Sequence, residues 1–334
     1  IENLPPYVFS IINGLKIEAR RAGADVVDLG FGNPDIPSPQ IAVDKLAEAA
    51  RNPKNHRYSL SRGLPKLREA IAGYYKAKWD VDLDTELEIT NTIGSKEGFS
   101  HLMWVLLDRG DAAIVPSPSY PIHIYGPLFA GADLRQVPMK FLADPDQREH
   151  FADDFMDSLQ TAWDVGWPKP RVLVISFPHN PTGATVDLAF MQRVVDFCRE
   201  HEMIVVHDFA YADVGFDGHQ PPSILQAEGA KECAVELYSM TKSFSMAGWR
   251  SAFLLGNAEV VQALVKLKSY LDYGMFQPVQ IAATVTINEA ADYPNEIRAI
   301  YESRCDTLID GLGRIGWDIP KPCGSMFVWA PIPE

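Results

Sequence analysis

Short apolar runs and helical patterns alternate through the middle of the chain. The runs AAIVPSPSY (112–120), RVLVISFP (171–178), MIVVHDFA (203–210), AVELYSM (234–240) and SAFLLGN (251–257) are brief and rich in β-branched residues. Each predicts a strand. Between two of them, DLAFMQRVVDFCREHE (187–202) sets Leu188, Met191, Val194, Val195 and Cys198 on one helical face. Strand, helix, strand in repetition predicts an α/β fold: three layers, α/β/α, around a mostly parallel central sheet. Helices are also predicted over 39–51, where Ser38 can cap and Pro39 takes the first turn, and over 64–79, 95–108, 258–271 and 277–291. The pattern over 294–316 predicts an extended helix leaving the sheet, and SMFVWAP (325–331) a further strand. The expected organisation is a large domain over 45–290 and a smaller α/β unit built from both chain ends, 1–44 and 291–334.

Composition narrows the class. Of 334 residues, 47% are hydrophobic and 22% charged, as in an ordinary globular protein with room for a sizeable core. A formal charge of −14 argues against nucleic acid, which needs clustered Lys and Arg. No apolar run approaches the roughly 18 residues a membrane helix requires, and the N-terminus lacks a signal-peptide pattern. The chain begins at Ile1 rather than Met, which leaves room for a leader cut away. Cys198, Cys233, Cys305 and Cys323 are far apart and form no CxxC pair, so they are expected to be packing residues in a reducing cytoplasm.

Chemistry collects where the predicted strands end, the place at which open α/β sheets bind ligands. Asn180 follows one strand, in HNPTG; Asp208 ends another; Lys242 follows a third, in SMTKSFSMAGWR. Each has a plainer reading: a turn, a cap, a snorkelling amine. An amide, a carboxylate and a lysine on one edge are harder to dismiss together. Gly94-Ser95-Lys96 opens a predicted helix whose free N–H groups attract anions, and Arg250 offers a permanently charged fork suited to phosphate. The set asks for a ligand with a phosphate, a carbonyl that takes an amine, and a ring needing an acidic partner. Pyridoxal phosphate has all three.

The segments RYSLSRGLPKLREAI, GSKEG, PSPSYPIHIYG, NPTG, VVHDFAYAD and SMTKSFSMAGWR, in this order, resemble the class I/II aminotransferases of pyridoxal-phosphate fold type I. In detail the chain looks most similar to bacterial alanine (glutamate–pyruvate) transaminases, with LL-diaminopimelate aminotransferases as near relatives. The resemblance implies that Lys242 carries the cofactor as a Schiff base and later shuttles a proton. It implies that Asp208 pairs with the pyridine nitrogen and that Tyr211 and Asn180 bond the ring's phenolic oxygen. Tyr120 would stack on the ring; Ser95, Lys96, Ser239 and Arg250 would hold the phosphate. Tyr58 would reach the phosphate of a neighbouring subunit, making the active unit a homodimer. Gly32, Tyr7 and Asn180 would line the substrate side. The arginine that clamps the substrate carboxylate in this family is expected beyond Glu334, in residues missing from this chain.

The implied reaction is ping-pong transfer of an amino group between an L-amino acid, alanine or similar, and a 2-oxo acid such as 2-oxoglutarate or pyruvate. A pyridoxal-phosphate lyase of the same fold would share the cofactor motifs, and a non-catalytic regulator domain is a weaker alternative. A metal site at His207, Asp208, Asp213 and His219 is disfavoured, because no HxxxH or HxH pair supports one.

Overall fold

A computed structural model describes residues 4–30, 32–139 and 150–332. They gather into two compact units, 1–35 and 36–334. The first holds the helix Val8–Arg21 and an ion pair of 2.7 Å between Lys16 and Asp28. The second carries one seven-stranded sheet: β1 (Ile89–Ile93), β2 (Ala112–Ser117), β3 (Asp133–Pro138), β4 (Val172–Ile175), β5 (Ile204–Phe209), β6 (Ala234–Ser239) and β7 (Ser251–Gly256), in the order β1-β7-β6-β5-β4-β2-β3. Pairings from β6 through β3 are parallel, and β7 runs antiparallel to both its neighbours.

Every residue of β4, β6 and β7 is buried, which is why these strands read as mainly apolar runs without alternation: a sheet covered on both faces has no solvent side to alternate toward. Alternate residues instead enter two cores. Leu173, Ile175, Val205, Phe209, Tyr238 and Phe253 meet the helices Pro65–Trp79, Phe151–Asp164 and Leu188–Glu200. Val172, Val174, Val206, Val235, Leu237 and Leu254 meet Ser95–Leu106, Pro121–Ala130 and Ala258–Leu271. This is the expected three-layer arrangement. Each fully buried Leu, Val or Phe contributes about 1.5–3 kcal/mol of apolar burial.

Local expectations differ in places. In Leu188–Glu200, Met191, Val194, Val195 and Cys198 are buried, but Leu188 is 41% exposed and Phe190 and Phe197 complete the face. The helix begins there because Asp187 accepts a 2.8 Å bond from the Phe190 N–H. Ser38 does not cap Gln40–Ala50; its hydroxyl donates to the Ser245 carbonyl (2.9 Å) and accepts from Trp249 Nε1 (3.0 Å), bracing the segment after Lys242. SMFVWAP forms no strand: only Gly324 makes a bridge, to Gly215, and Phe327 turns its ring edge to Tyr211 at 5.7 Å. The long C-terminal helix is Tyr293–Gly313, and its Ile297, Tyr301 and Cys305 pack under Tyr211, Val214 and Phe216. Cys198, Cys233 and Cys305 are buried as expected, whereas Cys323 is exposed. The stop at Glu334 lies outside the described residues.

Candidate active site

Three parallel strands deliver the central residues to one edge. Asp208 is the penultimate residue of β5, and Tyr211 lies in the turn that follows. Ser239 ends β6 and caps the single-turn helix Met240–Ser243 by accepting from the Thr241 N–H (3.2 Å); its own hydroxyl donates to Thr241 Oγ1 (2.9 Å). That turn carries Lys242, whose Nζ lies 6.0 Å from the centre of the Tyr211 ring. Burial pushes the Lys242 amine down to about 8, because an ammonium loses its hydration there. Burial, reinforced by the neighbouring Asp208 charge, drives the Tyr211 phenol well up, while a hydrogen bond with the Asn180 side chain works the other way. Asn180, Asp208, Tyr211 and Lys242 are thus brought together.

Asp208 is gripped from behind by a residue that the sequence reading did not single out. His123 Nε2–H donates to Asp208 Oδ2 (2.9 Å), and Ser119 Oγ donates to His123 Nδ1 (3.2 Å), a tautomer assigned from the bonding pattern. His123 is buried on the Pro121–Ala130 helix, one turn beyond Tyr120. The Asp208 carbonyl accepts from Ser176 Oγ (2.9 Å). The other carboxylate oxygen, Oδ1, is buried and has no hydrogen-bond partner among the described residues, an unusual state for a buried polar atom.

The anion end follows from strand register. Ile93 and Ser251 are partners across β1 and β7, so Gly94 and Arg250, the next residues outward, meet. Gly94 holds φ +81°, and a Cβ there would stand 2.5 Å from Arg250 Cζ. Ser95 and Lys96 open the Ser95–Leu106 helix directly after it. Glu97 accepts from the Ile93 N–H (2.8 Å) and fixes the turn. Backbone N–H groups, a helix N-terminus and a guanidinium converge on one spot.

The sequence profile of the family described as aminotransferase class I and II matches residues 24–334. The chain belongs to this family. Over all 334 residues it is 46% identical to the glutamate-pyruvate aminotransferase AlaC of Escherichia coli, spanning 79% of that protein, and 44% identical to a putative aminotransferase, AatC, of Rhizobium meliloti, spanning 80%. It is 40% identical to an LL-diaminopimelate aminotransferase of Moorella thermoacetica, spanning 83%. The solved structure of apo BacF from Bacillus subtilis superposes with a TM-score of 0.87 at 36% identity, covering 99% of this chain and 81% of that one. The protein is a transaminase of the pyridoxal-phosphate-dependent class I/II type.

The residues present fit that cofactor. The orphaned Asp208 Oδ1 is an acceptor waiting for a donor such as a protonated ring nitrogen. Gly94, lacking a side chain, lets the Arg250 guanidinium lie against the helix start, where any Cβ would displace it. Tyr120 is partly buried at the start of its helix, its ring edge-on to His123 at 5.7 Å. Tyr58 stands apart from this cluster's buried floor: it is 85% exposed and leans on Tyr273 at 4.7 Å. Tyr7 and Gly32 belong to the first unit, where Tyr7 packs edge-on against Phe9.

Of the residues weighed as metal ligands, His207 and Asp213 are engaged elsewhere, whereas His219 Nε2 is buried without a hydrogen-bond partner among the described residues. His207 bonds Glu236, and Asp213 accepts from Tyr74 and Tyr238 and pairs with Lys78. Among the described residues, Glu97, His101 and Asp272 are grouped closely enough to hold an ion, yet the Lys268 ammonium already bonds Glu97 (2.6 Å) and Asp272 (3.1 Å).

Proposed function

We propose that this transaminase exchanges the amino group of L-alanine, or a similarly small amino acid, with 2-oxoglutarate or pyruvate in two half-reactions. The observation that carries this reading is the 46% identity, over the whole chain, to a glutamate-pyruvate aminotransferase. The 40% identity to an LL-diaminopimelate aminotransferase favours a second reading, in which a longer diamino acid is the donor.

Bound pyridoxal phosphate supplies an electron sink for the pair left on the substrate's Cα. The chain's residues do the rest. Asp208 Oδ1 holds the proton on the ring nitrogen, and His123 orients that carboxylate. Asn180 and Tyr211 donate to the phenolic oxygen, and Tyr120 stacks on the ring. The N–H groups of Ser95 and Lys96, the Ser239 hydroxyl and the Arg250 fork hold the phosphate. Lys242 would hold the cofactor through its amine and, with substrate bound, would take the Cα proton at Nζ. For Tyr7 and Gly32 a substrate-side role rests on the family resemblance alone, and Asn180 is given one as well. Tyr58 crosses to the phosphate of a second subunit in a homodimer; its exposure beside Tyr273 and Phe276, both also exposed, supports this.

Single-turnover absorbance tests the assignment. L-alanine should shift the cofactor band of the holoenzyme and 2-oxoglutarate should restore it. A larger kcat/KM for LL-diaminopimelate than for alanine would select the second reading. Stoichiometric release of ammonia would overturn transamination in favour of elimination.

A further inference from the structure

His207 sits beside Asp208 on β5 but serves the other side of the sheet. It is the register partner of Glu236 on β6, and both side chains are fully buried. The Glu236 carboxylate accepts from four donors: Tyr75 Oη (2.7 Å) and Ser223 Oγ (2.8 Å) on Oε1, the Ile224 N–H (3.0 Å) and His207 Nδ1 (2.8 Å) on Oε2. Four donors saturate two carboxylate oxygens, which is what an anion at 0% exposure demands. An ionised carboxylate cannot donate, so His207 carries its proton on Nδ1 and presents a lone pair at Nε2. The Phe177 N–H donates to that lone pair at 3.2 Å. The Phe177 carbonyl oxygen lies at the same 3.2 Å from Nε2 but cannot bond an unprotonated nitrogen, so the hold on Phe177 is through its N–H.

Phe177 is the point from which the Asn180 loop hangs. It follows β4 by two residues, and its ring is locked among Phe151, Phe155 and Phe190. Beyond it the loop's own bonds hold its shape: the His179 N–H donates to the Ala184 carbonyl (2.8 Å), the Gly183 N–H to the His179 carbonyl (2.8 Å), and His179 Nδ1 meets Thr182 Oγ1 (2.8 Å), while the Asn180 side chain bonds Tyr211. A loop rigid within itself moves as one piece about its root, so the Phe177 backbone sets the position from which Asn180 reaches Tyr211.

We propose that His207, oriented by Glu236, is a positioning residue for Asn180: from behind the sheet it sets the amide against the cofactor's phenolic oxygen. The inference rests on the role given to Asn180 under the proposed function, and the experiment separates the two. In the holoenzyme, the pH midpoint of the cofactor's absorption band reports donors to the phenolic oxygen. A donor matters most when that oxygen bears its full charge, so a lost donor moves the midpoint upward.

Three variants are compared with the parent protein. Asn180→Ala removes the amide itself. His207→Asn places an amide near the Nδ1 position, keeping Glu236 partnered and releasing Phe177. His207→Gln reaches the Nε2 position and restores an acceptor for the Phe177 N–H. We expect Asn180→Ala and His207→Asn to raise the midpoint by about half a unit or more and to lower kcat/KM for the amino donor about tenfold, and His207→Gln to recover most of both. Should His207→Asn not accumulate as folded protein, Glu236→Gln is read the same way, with the same direction expected. A wild-type midpoint in His207→Asn alongside a shifted one in Asn180→Ala overturns the positioning role and leaves the role of Asn180 standing. An unmoved midpoint in Asn180→Ala overturns that role and the inference with it. Equal losses of thermal stability in both His207 variants, with no change of midpoint, would make the pair structural only.

Discussion

Arg250 lies flat against Gly94, its guanidinium carbon 2.5 Å from where a glycine Cβ would be. The contact is a consequence of register, since Ile93 pairs with Ser251 and the two flanking residues leave the sheet together. Gly94→Ala must therefore displace the arginine and hold a side chain at φ +81°, which alone costs about 1–2 kcal/mol. Cofactor affinity should fall at least tenfold, with little change in the fold. Arg250→Lys should weaken binding similarly, because a point charge replaces a planar fork. Equilibrium titration of the apoprotein with cofactor measures both; unchanged affinity in Gly94→Ala would exclude the cradle.

The bond between His123 and Asp208 separates two kinds of loss. Asp208→Asn removes the charge proposed to keep the ring nitrogen protonated and should reduce the half-reaction rate by on the order of a hundredfold or more. His123→Phe leaves the charge and removes one charge-assisted bond of 2.9 Å, a loss of about 1.5–3 kcal/mol, so a decrease of about tenfold or more is expected, always smaller than that of Asp208→Asn. Stopped-flow absorbance with a saturating amino donor compares them.

The difference between the legible and the illegible parts of this chain is a difference in burial. Strands β4 to β7 announce themselves because both faces are covered and most positions are apolar. The edge strand β3 does not: its Asp133 and Gln136 are solvent-facing sheet margin, with no hydrophobic run to read. Strand β1, ITNTI, hides for the opposite reason, its Thr90, Asn91 and Thr92 being buried polar residues, with Asn91 Nδ2 donating to the Ala252 carbonyl at 2.8 Å. At the site, the motif-bearing residues were readable from local order. His123 was not, since Gly126 and Pro127 blur the periodicity of its helix, and its tie to Asp208 spans 85 residues.

Lys242 should titrate visibly. Its amine, pushed down to about 8 by burial, is neutral in about a tenth of molecules at pH 7, against well under a thousandth for an ordinary lysine. The reactive form grows as pH rises, so covalent capture of cofactor by the apoprotein should accelerate through pH 8 and level off above it. Borohydride trapping followed by mass spectrometry at a series of pH values gives the profile. Lys242→Ala should show no trapped adduct and only residual turnover; full turnover would remove Lys242 from the mechanism. A midpoint near the free-lysine value of about 10.4 would remove burial as the cause.

Beneath Tyr211, Asp213 is buried and accepts from Tyr74 Oη (2.8 Å) and Tyr238 Oη (2.9 Å) while pairing with Lys78. Tyr74→Phe removes one donor but keeps the ring contacts with Trp79, Tyr238 and Phe244. The cost should be about 1.5–3 kcal/mol, the worth of a hydrogen bond to a charged group. Asp213→Ala is different in kind, because it strands the largely buried Lys78 ammonium without its counter-charge and takes the shared acceptor from two buried hydroxyls. A loss of about 3–5 kcal/mol is expected. Replacing Lys78 by Met in the Asp213→Ala background should then return part of that loss, since the stranded charge goes with it. Urea unfolding of the four proteins decides the matter. If the double variant is no more stable than Asp213→Ala, the penalty comes from the tyrosines rather than from the uncompensated charge.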